Sequence, residues 1–472
     1  MSGPMSLEPG GSEQDTLALR LADTRPPRRR PRWASDDTTL AIRLPRHGPD
    51  EEAVSRLAAE LADRIGPAVH PYEVAALLEA EGLSATLIKE RYGHPSLFSL
   101  AAALYEQVPR TFPEPAAAPD VWRPDTVRCL LRGVLFALPG LAYLLTAPLW
   151  NAGRHAPALI TAGLVSWAWG QALGHRAHLR MAAGRREAGR TLLAGAPLGA
   201  VLATAAAAPL AGSGPVVLAA AAQSLYLAAA GVLLVLARER LLLAALSPLV
   251  AGTAVLPWRD PGDWPRAGLP ALALLGTLAA TAWALRGTLA VPAAAGAARP
   301  RLVWSLPYGL FGLAAGVLVL LEGREEPYAV IVLTVSMGPA EWLLYRYRGL
   351  SVAALRTTAT PAGFLLRSAG ILGGCLLAYL LPLLPAAALT GAAPAGLLPL
   401  AAALWTALLL QAFGAAWPSA VICLAAAGGA GAVALFGLPP GPAPALSWGC
   451  GAAALCLSAG ALWQLGRPAP HA

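Results

Sequence analysis

The sequence predicts an all-α polytopic membrane protein, with about 12 transmembrane helices in two parallel six-helix halves behind a small cytoplasmic N-terminal helical domain. Three observations predict this class. Of 472 residues, 56% are hydrophobic and only 13% are charged, against about 25% charged in soluble globular domains. The mean hydropathy is +0.55. From residue 127 onward, apolar runs recur near the length of about 20 residues that a helix needs to cross a bilayer. Such a composition excludes a soluble enzyme, a disordered chain and a secreted disulfide scaffold.

The net charge of +8 is unevenly placed. Residues 1–126 hold 14 basic and 19 acidic residues, whereas residues 127–472 hold 21 arginines and 8 acids. The basic excess therefore belongs to the membrane part, where cytoplasmic loops normally supply it, and no nucleic-acid partner is expected. Cys129, Cys375, Cys423, Cys450 and Cys456 lie in or beside apolar runs with no CxxC pair. They predict small buried side chains without a disulfide, metal or other cofactor. His175 and His178 have no sequence-adjacent Cys or carboxylate, and a solvated loop is their expected setting.

Residues 1–49 form a tail too polar and proline-rich to build a core. It carries a duplicated motif: Ser12–Leu21 recurs as Ser35–Leu44, with six of ten positions identical. Thr16 and Thr39 occupy matching places and are candidate regulatory phosphosites, since a phosphate would add charge for docking on arginines. Residues 50–110 predict four short amphipathic helices, started by Asp50, Pro71, Ser84 and Ser96, with Gly82 closing the second. They make the small cytoplasmic domain, which is expected to bind a cytoplasmic partner. Residues 111–126 form a Pro-rich linker.

The first membrane half, 127–290, has predicted spans at 128–149, 156–174, 191–211, 214–237, 241–258 and 267–286. The second half, 291–467, has spans at 302–321, 327–345, 363–384, 395–414, 417–438 and 443–465, and 468–472 is a short cytoplasmic tail. With the N-terminus inside, 17 of the 21 arginines after residue 126 fall on the cytoplasmic side. That positive-inside pattern places both termini in the cytoplasm of a cell (inner) membrane.

The halves resemble one another. Each first span has a proline after an apolar run, Pro139 and Pro307, and each second span ends in a Trp-bearing stretch running into arginine. Gln171 precedes Arg176 by the same interval as Glu341 precedes Arg346. The longest basic loop follows the second span in each half. Six-span halves of like orientation form a parallel repeat.

Ionisable groups inside spans point to transport pathways. Glu341 is the only acid within a predicted span, and it is expected to face the bundle interior and pair with Arg346 or Arg367. Gln171, Arg346 and Arg176 join it as transport or gating candidates. Arg132, Arg286 and Arg367 at span ends, with Tyr143, Tyr308 and Gln223 deeper in, are cavity or rim candidates. Interhelical hydrogen bonding is the simpler role of the softer polar groups.

Twelve spans in two halves, with a proline in each first span, resemble the multidrug/oligosaccharidyl-lipid/polysaccharide flippase superfamily. The major facilitators are a poorer match, because their acidic loop signature after the second span is absent from Gly174-His-Arg-Ala-His. The flippase resemblance implies rocking of two bundles and export of a polysaccharide or lipid-linked precursor, with membrane lipids and a lipid-linked glycan as partners. A small-molecule permease and a non-transporting membrane scaffold are the alternatives.

Overall fold

The computed structural model describes residues 49–109, 124–292, 300–358 and 360–467. The tail with its duplicated motif, Thr16 and Thr39, linker residues 111–123 and the terminal 468–472 lie outside the described residues. Among the described residues every regular element is helical. The chain divides into two compact units, whose described parts are 49–109 and 124–467.

The first unit contains α1 (Pro49–Glu60), α2 (Pro71–Ala80), α3 (Ala85–Tyr92) and α4 (Leu97–Gln107). Their starts follow from side chains that satisfy the free N–H groups of a first turn. Ser84 accepts from the Leu87 N–H at 3.3 Å, and Ser96 and Ser99 form a reciprocal capping box. Helix α1 begins at Pro49, so Asp50 lies inside its first turn and not at the cap expected for it. Leu78, Leu100 and Leu104 are fully buried in the core of this unit, with Val74 and Ile88 beside them. Leu100→Ala is expected to cost about 2–5 kcal/mol. In the full chain it should accelerate hydrogen exchange across 71–107, and unchanged protection would contradict this core.

The second unit has a helix or a broken helix at each of the twelve predicted spans. The first half holds α5 (Thr126–Ala137), α6 (Gly140–Thr146), α7 (Ala152–Ala183), α8 (Arg185–Ala211), α9 (Gly214–Val235), α10 (Glu239–Val255) and α11 (Asp263–Leu289). The second half holds α12 (Leu306–Glu325), α13 (Pro327–Val335), α14 (Met337–Thr357), α15 (Pro361–Leu380), α16 (Leu383–Thr390), α17 (Pro394–Ala412), α18 (Ala416–Phe436) and α19 (Pro442–Leu465). Among the described residues, nine segments are long and apolar enough to cross a membrane, and α13 with α14, bent by 44°, makes a tenth. The other two predicted spans fall on α7 and α10. Helix α10 has only 17 residues, about 26 Å of rise, while Ser166, Trp167, Trp169 and Gln171 lower the hydropathy of α7.

Each half has a hydrophobic core of its own. One centres on Leu145, Leu233 and Leu246, the other on Leu318, Leu397 and Leu410. Between the halves the first two spans exchange partners: α5 packs on α13 and α14, and α12 packs on α7. A two-fold axis along the membrane normal produces this kind of exchange. Small residues make both seams, as is common where membrane helices approach closely. A Cβ on Gly338 would lie 2.7 Å from the Cys129 carbonyl oxygen, and one on Gly133 would lie 3.0 Å from the Gly338 nitrogen. Across the other seam, Gly309 and Gly312 meet Ala168, Ala172 and Gln171.

Two details of the expected repeat differ. Pro139 sits at the break between α5 and α6, whereas Pro307 lies in the first turn of α12, where its fixed φ starts a helix rather than kinking one. The basic stretches after the second spans are not loops. Helix α7 runs on through His175 and Arg180 to Ala183, and α14 runs on to Thr357. A single residue, Gly184 at φ 143°, joins α7 to α8. Glu187 bonds Arg180 and Arg190 across and beside that corner. In the first turn of α11, Arg266 bonds the Leu145 carbonyl at 2.9 Å. The Gly262 N–H and the Arg266 guanidinium hold the Asp260 carboxyl below its usual range.

Candidate functional site between the two halves

A cavity of 290 Å³ lies where α5, α7, α9 and α10 of the first half face α12 to α15 and α17 of the second. Most of its lining is aliphatic, aromatic or glycine. Trp167, Gln171, Thr334, Glu341, Tyr379 and Trp405 bring polar atoms to it. Three of these atoms are already satisfied by protein. Thr334 bonds the Val330 carbonyl at 2.6 Å, the Tyr379 hydroxyl meets Ser336 Oγ at 3.0 Å, and Trp405 Nε1 donates to the Ala340 carbonyl at 3.2 Å.

The remaining three have capacity left. Trp167 Nε1 and Glu341 Oε2 are buried without a hydrogen-bond partner. Gln171 is 5% exposed and lines the same cavity. Buried polar atoms are normally paired, and each exception needs an explanation. One donor, one acceptor and one amide converge on a single cavity. Gln171 and Glu341, matched in the two halves by sequence, are thus brought together.

Glu341 is held by a charge network that the sequence did not suggest. Its Oε1 accepts from Arg132 Nη1. The same Arg132 bonds Glu239 Oε1, at 2.8 Å from Nη2 and 2.9 Å from Nε, and Arg128 Nε reaches that oxygen at 2.8 Å. Arg132 is therefore an interior bridge between α10 and α14, not a rim residue at a span end. Glu341 faces inward, but its partner is neither Arg346 nor Arg367. Positions 341 and 346 are five residues apart, about 140° round a helix of 3.6 residues per turn, so one cannot face the interior while the other joins it. The Gly133–Gly338 approach brings Arg132, one residue from Gly133, within reach.

The other candidates are dispersed. Arg346 and Arg367 line an outward groove between α14 and α15, and Arg367 Nη1 donates to Thr357 Oγ1. Arg176 donates to the Pro300 carbonyl at 3.3 Å. Tyr308 is buried, stacks on His175 with ring centroids 3.7 Å apart, and donates to the Gln411 carbonyl at 3.4 Å. His175 also meets Ser305 Oγ at 3.1 Å, so it joins the α7–α12 seam instead of a solvated loop, and His178 bonds the Gly174 carbonyl within α7. Arg286 is exposed in the last turn of α11. Tyr143 and Gln223 line a separate 390 Å³ cavity inside the first half, where Gln223 Nε2 donates to the Leu159 carbonyl at 3.1 Å.

Three buried acids were placed in loops by sequence. Glu187 lies in the first turn of α8, Glu239 opens α10, and Glu322 lies in the last turns of α12 with 4% exposure and Oε1 unpaired. Glu341 is therefore not the only acid inside a span. The signal for Glu322 is its spacing from Leu318, one helical turn earlier on the face that becomes buried.

No family model matches the chain, and no curated protein matches it. Among solved structures it is similar to a MATE crystallised in complex with Br-NRF, at 13% identity and a TM-score of 0.38, with 75% of this chain and 100% of that chain covered. It is also similar to a MATE crystallised in the bent conformation, at 13% identity and a TM-score of 0.33, with 72% and 92% covered.

Proposed function

We propose that the chain is a multi-pass membrane transporter that moves a small, largely apolar molecule by rocking its two halves, with Glu341 as the charged group that meets the cargo. The observation that carries this reading is the cavity between two separately cored halves, with Trp167, Gln171 and Glu341 offering it unpaired polar atoms. Its volume lies near the lower end of the roughly 300–1,000 Å³ typical of small-ligand sites. A glycan would need many donors and acceptors, and this lining offers few, which favours a small molecule over a polysaccharide or lipid-linked glycan as cargo. A partner bearing one N–H or O–H donor would suit Glu341 Oε2, and an acceptor would suit Trp167 Nε1.

Everted membrane vesicles and a panel of lipophilic fluorescent compounds test the reading. The wild type should move at least one compound across the membrane. Glu341→Gln should abolish that movement while retaining folded protein, because Arg132 keeps Glu239. Transport of no compound by the wild type, or full transport by the variant, would overturn it.

The same reading puts both termini on the cytoplasmic side of the cell membrane, from the arginine distribution. Reporter fusions after Arg180 and Arg348 should be cytoplasmic and one after Asp263 external. A cytoplasmic signal at Asp263 would reverse the orientation.

A further inference from the structure

The outward face of the α14–α15 hairpin carries a groove of 690 Å³ that plays no part in the central cavity. Its floor is apolar and small. Gly370 and Gly374 line α15's side, and a Cβ at either would meet nothing within 4 Å, so the depression is real space and not a close helix contact. Leu366 and Leu377, also on α15, are 76% and 59% exposed, which marks this helix as facing lipid. At the groove, Arg346 and Arg367 project from the two helices, both exposed. Arg346 makes no ion pair among the described residues, and the hydroxyl of Thr357 is the partner of Arg367. Two guanidinium groups with no carboxylate between them, beside an apolar channel on a bilayer-facing surface, form an uncompensated cationic site.

We propose that this groove binds an anionic phospholipid, its phosphate held by Arg346 and Arg367 and one acyl chain lying along Gly370 and Gly374. Guanidinium is the side chain best matched to phosphate oxygens, which it can engage with two parallel N–H donors. Both arginines belong to the arginine-rich end of the hairpin, which the orientation proposed above puts beside the headgroups of the inner leaflet. A second copy of this chain would be a poor occupant, since it would bring the same two cations against these. The apolar channel supplies what a free phosphate would not use.

Native mass spectrometry of the full chain released from detergent micelles tests this, with phosphatidylglycerol and phosphatidylcholine of the same acyl chains. The wild type should retain one phosphatidylglycerol under activation that strips phosphatidylcholine. R346Q/R367Q should weaken that retention by about tenfold or more, as expected for two surface arginines acting on one anionic lipid, and each single variant should weaken it partially. G370L/G374L should weaken it with both arginines intact, because leucines would fill the chain's path. R240Q, an exposed arginine of α10, should leave it unchanged. Equal retention of the two lipids, an unaltered phosphatidylglycerol adduct in R346Q/R367Q, or displacement of the lipid by millimolar inorganic phosphate would overturn the proposal. Should the double variant fold poorly, the two single variants and the glycine pair carry the test.

Discussion

Arg132→Gln is expected to destabilise the membrane unit by about 3–5 kcal/mol, the usual cost of removing one partner from a buried ion pair. Arg132 is 12% exposed on its side chain and bonds two carboxylates that come from different helices, Glu239 on α10 and Glu341 on α14. Without it Glu239 keeps Arg128, but Glu341 is left as an uncompensated charge against an apolar cavity. The cost should therefore concentrate on Glu341, and the double variant R132Q/E341Q should recover most of it. Thermal unfolding in detergent reads this directly. A wild-type Tm for R132Q, or a double variant no more stable than R132Q, would show that the network does not couple the halves.

The second large effect is expected at the seam. Gly338→Leu would place a Cβ 2.7 Å from the Cys129 carbonyl oxygen, and a backbone atom has no rotamer by which to retreat. Overpacking of this kind costs about 1–3 kcal/mol even where side chains can adjust. Here the two helices must separate, which also pulls Arg132 away from Glu341. The variant should lose transport together with thermal stability. Gly287→Leu on α11, where a Cβ meets nothing within 4 Å, should do neither. A stable, active G338L protein would mean that the seam opens freely and holds no structural role.

Ten of the twelve predicted spans coincide, among the described residues, with segments long and apolar enough to cross a membrane, and they were legible because apolar run length depends on local composition alone. Helix ends were less legible. Hydropathy marks where a chain leaves the apolar layer, not where its helix stops, so α7 and α14 were cut short and Glu239 and Glu322 were assigned to loops. Glu341 was identifiable as an interior acid, since an unpaired carboxylate cannot face lipid cheaply. Its partner was not. Arg132 lies 209 residues away and arrives through the meeting of two glycines, a fact of packing that no local pattern encodes. The preference for Arg346 rested on proximity along the chain, which on a helix misleads at an interval of five.

The network around Arg132 also bears on how the protein responds to voltage. Arg128, Arg132, Glu239 and Glu341, all ionised, sum to no net charge. Carrying that set through the membrane field does no electrical work, so a rocking step in this state should be indifferent to membrane potential. Replacing Glu341 by Gln leaves the set with one positive charge. That charge gains or loses about 2.3 kcal/mol per 100 mV if it crosses the whole field, and proportionately less for a fraction of it. Rearrangement of the two halves should then vary with potential in E341Q, while in the wild type it should not.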